Sequence, residues 1–116
     1  MPADKKLDYL ELYGPDFAVM KAFYSSAFGW SFVDYGADYV GFAEAGLDGG
    51  FQKEERSPPL PILYAEDLEA SVAAVERAGG TITRPIFAFP GGRRFHFRDP
   101  AGNELAVWSD RLAGAA

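Results

Sequence analysis

The chain repeats itself. A shift of 51 positions lays Leu12 on Leu63, Tyr13 on Tyr64, Asp16 on Asp67, Ala22 on Ala73, Ala27 on Ala78 and Gly29 on Gly80. The overlay needs no gap from the first strand to the end of the following helix. A copied supersecondary unit constrains a fold more tightly than composition does. Each copy reads β-α-β-β-β. One copy alone would leave a sheet face uncovered, so the two are expected to pair. At 116 residues the chain is one domain with a real but modest core.

In the first copy, Leu7–Tyr13 alternates and predicts a strand, with Tyr9, Glu11 and Tyr13 on one face and Leu10 and Leu12 on the other. Gly14-Pro15 ends it. Asp16 is a good N-cap for a helix over about 16–28, whose buried stripe is Phe17, Met20, Tyr24, Ala27 and Phe28. Gly29 suits the position just past that helix. Strands follow at Trp30–Tyr35, Asp38–Glu44 and Gly50–Glu54, and Glu55–Pro59 reads as a linker between modules of about 1–56 and 57–116.

The second copy begins with a strand at Leu60–Ala65. Asp67 caps a helix over about 67–78 with Leu68, Val72, Val75 and Ala78 inward, and Gly79-Gly80 ends it. Thr81–Phe87 is a strand in which Pro85 implies an edge or a bulge. Residues 94–98 and 104–108 alternate as two strands of a hairpin around Asp99-Pro100-Ala101-Gly102-Asn103. Closure about Ala101 sets Arg98 against Glu104, Phe97 against Leu105 and His96 against Ala106. His96, Ala106 and Trp108 then share the face opposite Phe95, Phe97, Leu105 and Val107. The expected core is Leu10, Leu12, Phe17, Tyr24, Leu63, Leu68, Val72, Val75, Phe97, Leu105 and Val107.

Bulk properties narrow the function. The net charge of −6 disfavours nucleic acid, whose phosphates need clustered Lys and Arg. No run of ~18 apolar residues is present, so no membrane-spanning helix is expected. The N-terminal residues lack the apolar stretch of a signal peptide, and with no Cys there is no disulfide frame, so the cytoplasm is the expected compartment. Gly49-Gly50 and Gly91-Gly92 do not sit between a strand and a helix N-terminus as a phosphate loop requires. No serine or cysteine triad is evident.

The stretches Asp16–Trp30, with Lys-Ala-Phe-Tyr and Phe-Gly-Trp, and Arg94–Trp108, with Phe-Arg-Asp-Pro-Ala-Gly-Asn-Glu-Leu, resemble the glyoxalase, bleomycin-resistance and extradiol-dioxygenase superfamily. The likeness spans about residues 6–110. It implies an α+β fold of two βαβββ modules pairing into an incomplete barrel around a pocket. It also implies a homodimer, which would cover aromatic sheet faces that monomers rarely expose.

Metal-using members hold one divalent ion with His, Glu or Gln from the first and fourth strands of each module. Carried over, those positions fall at Tyr9, Leu60, Ala106 and one of Gly50, Phe51 or Gln52. Leu and Ala have no ligand atom, so no metal cofactor is expected; a divalent ion held by Glu11 and Glu104 is the alternative. The candidate acid/base residues are Glu11 and the single histidine, His96. Either could instead be an inert strand residue. Tyr9, Tyr13, Phe51, Gln52, Tyr64 and Trp108 are candidates to line a pocket, with a core role the competing reading for the aromatics. The functional expectation is a pocket for a small organic or aromatic ligand. The alternative is an enzyme of the superfamily: a lactoylglutathione-lyase-like lyase, an isomerase or a dioxygenase.

Overall fold

The computed structural model describes residues 2–54 and 58–112; Glu55, Arg56 and Ser57 of the expected linker lie outside the described residues. The elements run β1 (Lys6–Tyr13), α1 (Phe17–Phe28), β2 (Ser31–Asp34), β3 (Tyr39–Ala43), β4 (Asp48–Gln52), β5 (Leu60–Tyr64), α2 (Leu68–Arg77), β6 (Thr81–Phe89), β7 (Gly92–Arg98) and β8 (Glu104–Ser109). The α+β class and both βαβββ modules expected from the repeat are present.

The chain forms two compact units. One is Tyr9–Leu60; the other joins the residues up to Asp8 to the chain from Pro61 on. In the first, the strands lie in the order β2-β3-β4-β1, with β1 and β4 parallel and the other pairs antiparallel. In the second the order is β5-β8-β7-β6, with β5 and β8 parallel. Both units thus trace the same path. The residues before β1, placed by sequence in the first module, bind the second. Lys5 N–H donates to the Tyr64 carbonyl at 2.8 Å, and Asp4 Oδ1 accepts from the Glu66 N–H at 2.9 Å.

Both helix starts follow the capping rule. Asp16 accepts from the Val19 N–H at 3.2 Å and Asp67 from the Ala70 N–H at 3.0 Å. In the first unit, Val40, Phe42 and Phe51 form the buried centre, against which Leu10, Leu12, Phe17, Met20, Tyr24 and Trp30 pack. In the second, Ala65, Leu68, Phe95 and Val107 do so, with Leu63, Val72, Val75 and Phe97 around them. Leu105 is only half-buried. Phe28, expected in the stripe of α1, is 65% exposed. Trp30 stacks on Tyr24 at 4.6 Å and meets Phe42 at 4.9 Å, so the indole fills the place at the helix end. Ala27 and Ala78 are also exposed.

The turn after β7 closes as its sequence dictates. Gly102 has φ +94°, open to glycine without strain, and Asp99 Oδ1 accepts from the Ala101 and Asn103 N–H groups at 2.9 Å. The resulting register is Arg98↔Glu104, Phe97↔Leu105 and His96↔Ala106, as alternation predicts. The fourth strand runs two residues earlier than the sequence pattern suggested, because Gly49-Gly50 offers no side chains whose alternation could mark it.

Candidate functional site

Alternation in β1 sends Leu10 and Leu12 into the core beneath α1 and Tyr9, Glu11 and Tyr13 to the face away from the helix. The ladder sets Glu11 against Gly50 and Tyr13 against Gln52; on the far side of β4, Gly41 faces Gly50 and Tyr39 faces Gln52. Glu11 is buried, at 5% exposure, and accepts from the Tyr13 hydroxyl at 3.0 Å. The Tyr9 and Tyr39 hydroxyls share a hydrogen bond. A Cβ at Gly50 would lie 2.6 Å from the Tyr39 hydroxyl oxygen, so the glycine makes room for that phenol. Burial pushes the Tyr9 phenol above its ordinary pKa and the Glu11 carboxylate adds to this; the bond to Tyr39 opposes both. Tyr9 therefore stays protonated near neutrality. Phe51 departs from its expected place: it points into the core, fully buried against Tyr24, Phe32 and Phe42, because alternation along β4 sends it to the face opposite Gly50 and Gln52.

In the second unit, Phe95 and Val107 face α2, which leaves Arg94, His96, Glu104, Ala106 and Trp108 on the opposite face. His96 is 8% exposed, with Nδ1 3.2 Å from Glu104 Oε2. Its Nε2 is buried and has no hydrogen-bond partner among the described residues. Burial holds its pKa below the ordinary histidine value, and the Arg94 and Arg84 charges push the same way while Glu104 opposes. His96 is therefore neutral at physiological pH.

Phe87 lies 5.8 Å from the His96 ring, and the Arg84 guanidinium sits 3.7 Å over Phe87. The sequence reading missed Arg84 and Phe87. Two register irregularities flank Arg84 in β6, around Pro85, and break the alternation that would have assigned them. Tyr64 and Trp108 meet edge to face at 5.1 Å. The Tyr64 hydroxyl donates to Asp110 Oδ1 at 2.5 Å, and Trp108 Nε1 donates to Asp8 Oδ2 at 2.9 Å. The carboxylate partner, then burial, raises the Tyr64 pKa.

The strand pairing resolves the register left open at the fourth strand. Gly50 pairs with Glu11 as Ala106 pairs with Ile62, so Gly50 is the residue matching Ala106. With Gly50 as the fourth, the positions that the family resemblance implies as ligands are Tyr9, Gly50, Leu60 and Ala106, which offer one protonated phenol between them. Among the described residues no three His, Asp or Glu side chains group closely enough to hold an ion. Glu11 and Glu104, the possible substitutes, are engaged with Tyr13 and His96. This donor set does not fit a divalent cation.

Two βαβββ modules, each with a polar and aromatic face turned away from its helix, define the class of this protein. The chain belongs to the Glyoxalase/Bleomycin resistance protein/Dioxygenase superfamily, whose family model matches residues 6–107. Among solved structures it is similar to the Mn(II)-bound glyoxalase from Novosphingobium aromaticivorans, with TM-score 0.68 and 26% identity over 99% of this chain and 42% of that one. It also resembles methylmalonyl-CoA epimerase from Mycobacterium tuberculosis, with TM-score 0.70 and 13% identity over 97% and 92% of the two chains. A superfamily member from Vibrio splendidus 12B01 matches with TM-score 0.68 and 16% identity over 90% and 99%. No curated protein sequence matches. No helix among the described residues is long and apolar enough to cross a membrane.

Proposed function

We propose that this superfamily member binds a small organic molecule, aromatic in part, on the helix-free faces of its sheets, and does so without a metal ion. The observation that carries this reading is the pairing of few buried polar groups, Glu11 and His96, with surrounding aromatic side chains. Small-molecule sites are built in that proportion. Tyr9, Tyr13 and Gln52 supply the lining in the first unit, and Tyr64 and Trp108 in the second. The cysteine-free composition suits the cytoplasm. A homodimer belongs to the same reading and would cover the aromatic faces. Sedimentation equilibrium at micromolar concentration should give twice the chain mass; a monomer contradicts the dimer.

A ligand that binds only the folded state raises its stability in proportion to the logarithm of its concentration over Kd. Thermal melts against phenol, benzoate and benzylamine series test the proposal. At least one series should raise Tm in a saturable way, and Glu11→Gln should weaken that shift while leaving the unliganded Tm within a few degrees. No shift from any series contradicts the reading.

The second reading is a metal-free enzyme of the superfamily, a lyase or isomerase, using Glu11 or His96 as the base. The buried, neutral His96, whose Nε2 has no partner among the described residues, favours it.

A further inference from the structure

We propose that Glu104 is a positioning residue that holds His96 in its Nδ1–H tautomer, so that Nε2 presents a lone pair to a ligand hydroxyl. The ligand class is then a hydrogen-bond donor, a phenol or other hydroxylated organic molecule, and not an acceptor-only ether or ketone. The ligand half of the proposal rests on the small-molecule reading above; the role of Glu104 does not.

Glu104 reaches His96 diagonally. His96 faces Ala106 across the β7–β8 ladder, and Glu104 lies two residues before Ala106 on the same face. Its Oε2 stands 3.2 Å from Nδ1. An ionised carboxylate carries lone pairs and no hydrogen, whereas a neutral imidazole carries one N–H. The nitrogen facing Glu104 is therefore the one that holds the proton. The lone pair is left on Nε2, which is buried and has no partner among the described residues. A buried acceptor without a donor is destabilising, and a ligand hydroxyl would remove that cost.

The surroundings fit an arene bearing such a hydroxyl. Phe87 stands beside the imidazole, with Arg84 across its face. These side chains come from the segment of β6 where the pairing register breaks and where Pro85 contributes no N–H. The neighbours of the imidazole on β6 thus come from the least regular part of that strand. Phe89 and Trp108 extend the apolar wall, with their ring centroids 6.4 Å apart.

His96 is the only histidine, so a long-range 1H–15N spectrum reports this one imidazole. At pH 8.5 the wild-type protein should show a protonated Nδ1 and an unprotonated Nε2. Glu104→Ala should move the proton to Nε2, and Glu104→Gln, whose amide oxygen still accepts, should retain the wild-type pattern in large part. A wild-type Nε2–H tautomer, or an unchanged tautomer in Glu104→Ala, overturns the positioning role. Millimolar phenol should shift the Nε2 resonance and anisole should not. Equal effects of the two, or none from either, overturn the ligand class while leaving the tautomer result standing. The tautomer therefore judges Glu104 alone, and the probes judge the ligand reading.

Discussion

His96 lies where a β-strand's period of two puts it: on the opposite face from Phe95, which is fully buried against α2. Its titration follows from that place. The folded-state pKa is below the unfolded value of about 6.5. Folding therefore favours the neutral ring. That contribution is fully present above pH ~6.5 and is lost as pH falls through and below it. Urea melts should show stability falling between pH 7 and pH 5, with a shallower fall in His96→Asn, which cannot titrate. Equal slopes for the two proteins contradict the assignment. Alternation likewise made the faces of Glu11 and Trp108 legible from sequence. It could not place Phe51, because the two glycines before it hide the register, nor Arg84, because the irregularities around Pro85 break the period.

At the scale of elements, the caps and the hairpin turn were readable because their chemistry is local. Asp16, Asp67 and Asp99 each bond a backbone N–H within four residues. What the sequence hid was the closeness of β1 and β4, a long-range property. A Cβ on Gly49 would lie 2.2 Å from the Leu10 carbonyl oxygen and 2.2 Å from the Phe42 ring, and a backbone atom cannot swing aside. Gly49→Ala should destabilise the fold by about 1–3 kcal/mol, the range for overpacking. Asp67→Ala removes one capping bond and should cost about 1 kcal/mol. Denaturant midpoints of the two variants test this. Gly49→Ala as stable as wild type contradicts the parallel β1–β4 register.

For the whole molecule, the repeat made the architecture legible, because a βαβββ unit written twice leaves few alternatives. The site was less so. Its chemistry depends on which residues of β4 and β8 meet β1 and β5, and only the ladder gives that. The ladder pairs Gly50 with Glu11 as it pairs Ala106 with Ile62, and the family resemblance implies Gly50 and Ala106 as ligand positions of metal-using members. A site so composed is proposed to work without a metal ion. Elemental analysis of protein purified without chelator, then dialysed against manganese, zinc or nickel, checks this. Far less than one equivalent of any of these per chain is expected. One equivalent retained after dialysis, and lost on replacing Tyr9 or Glu11, would contradict it.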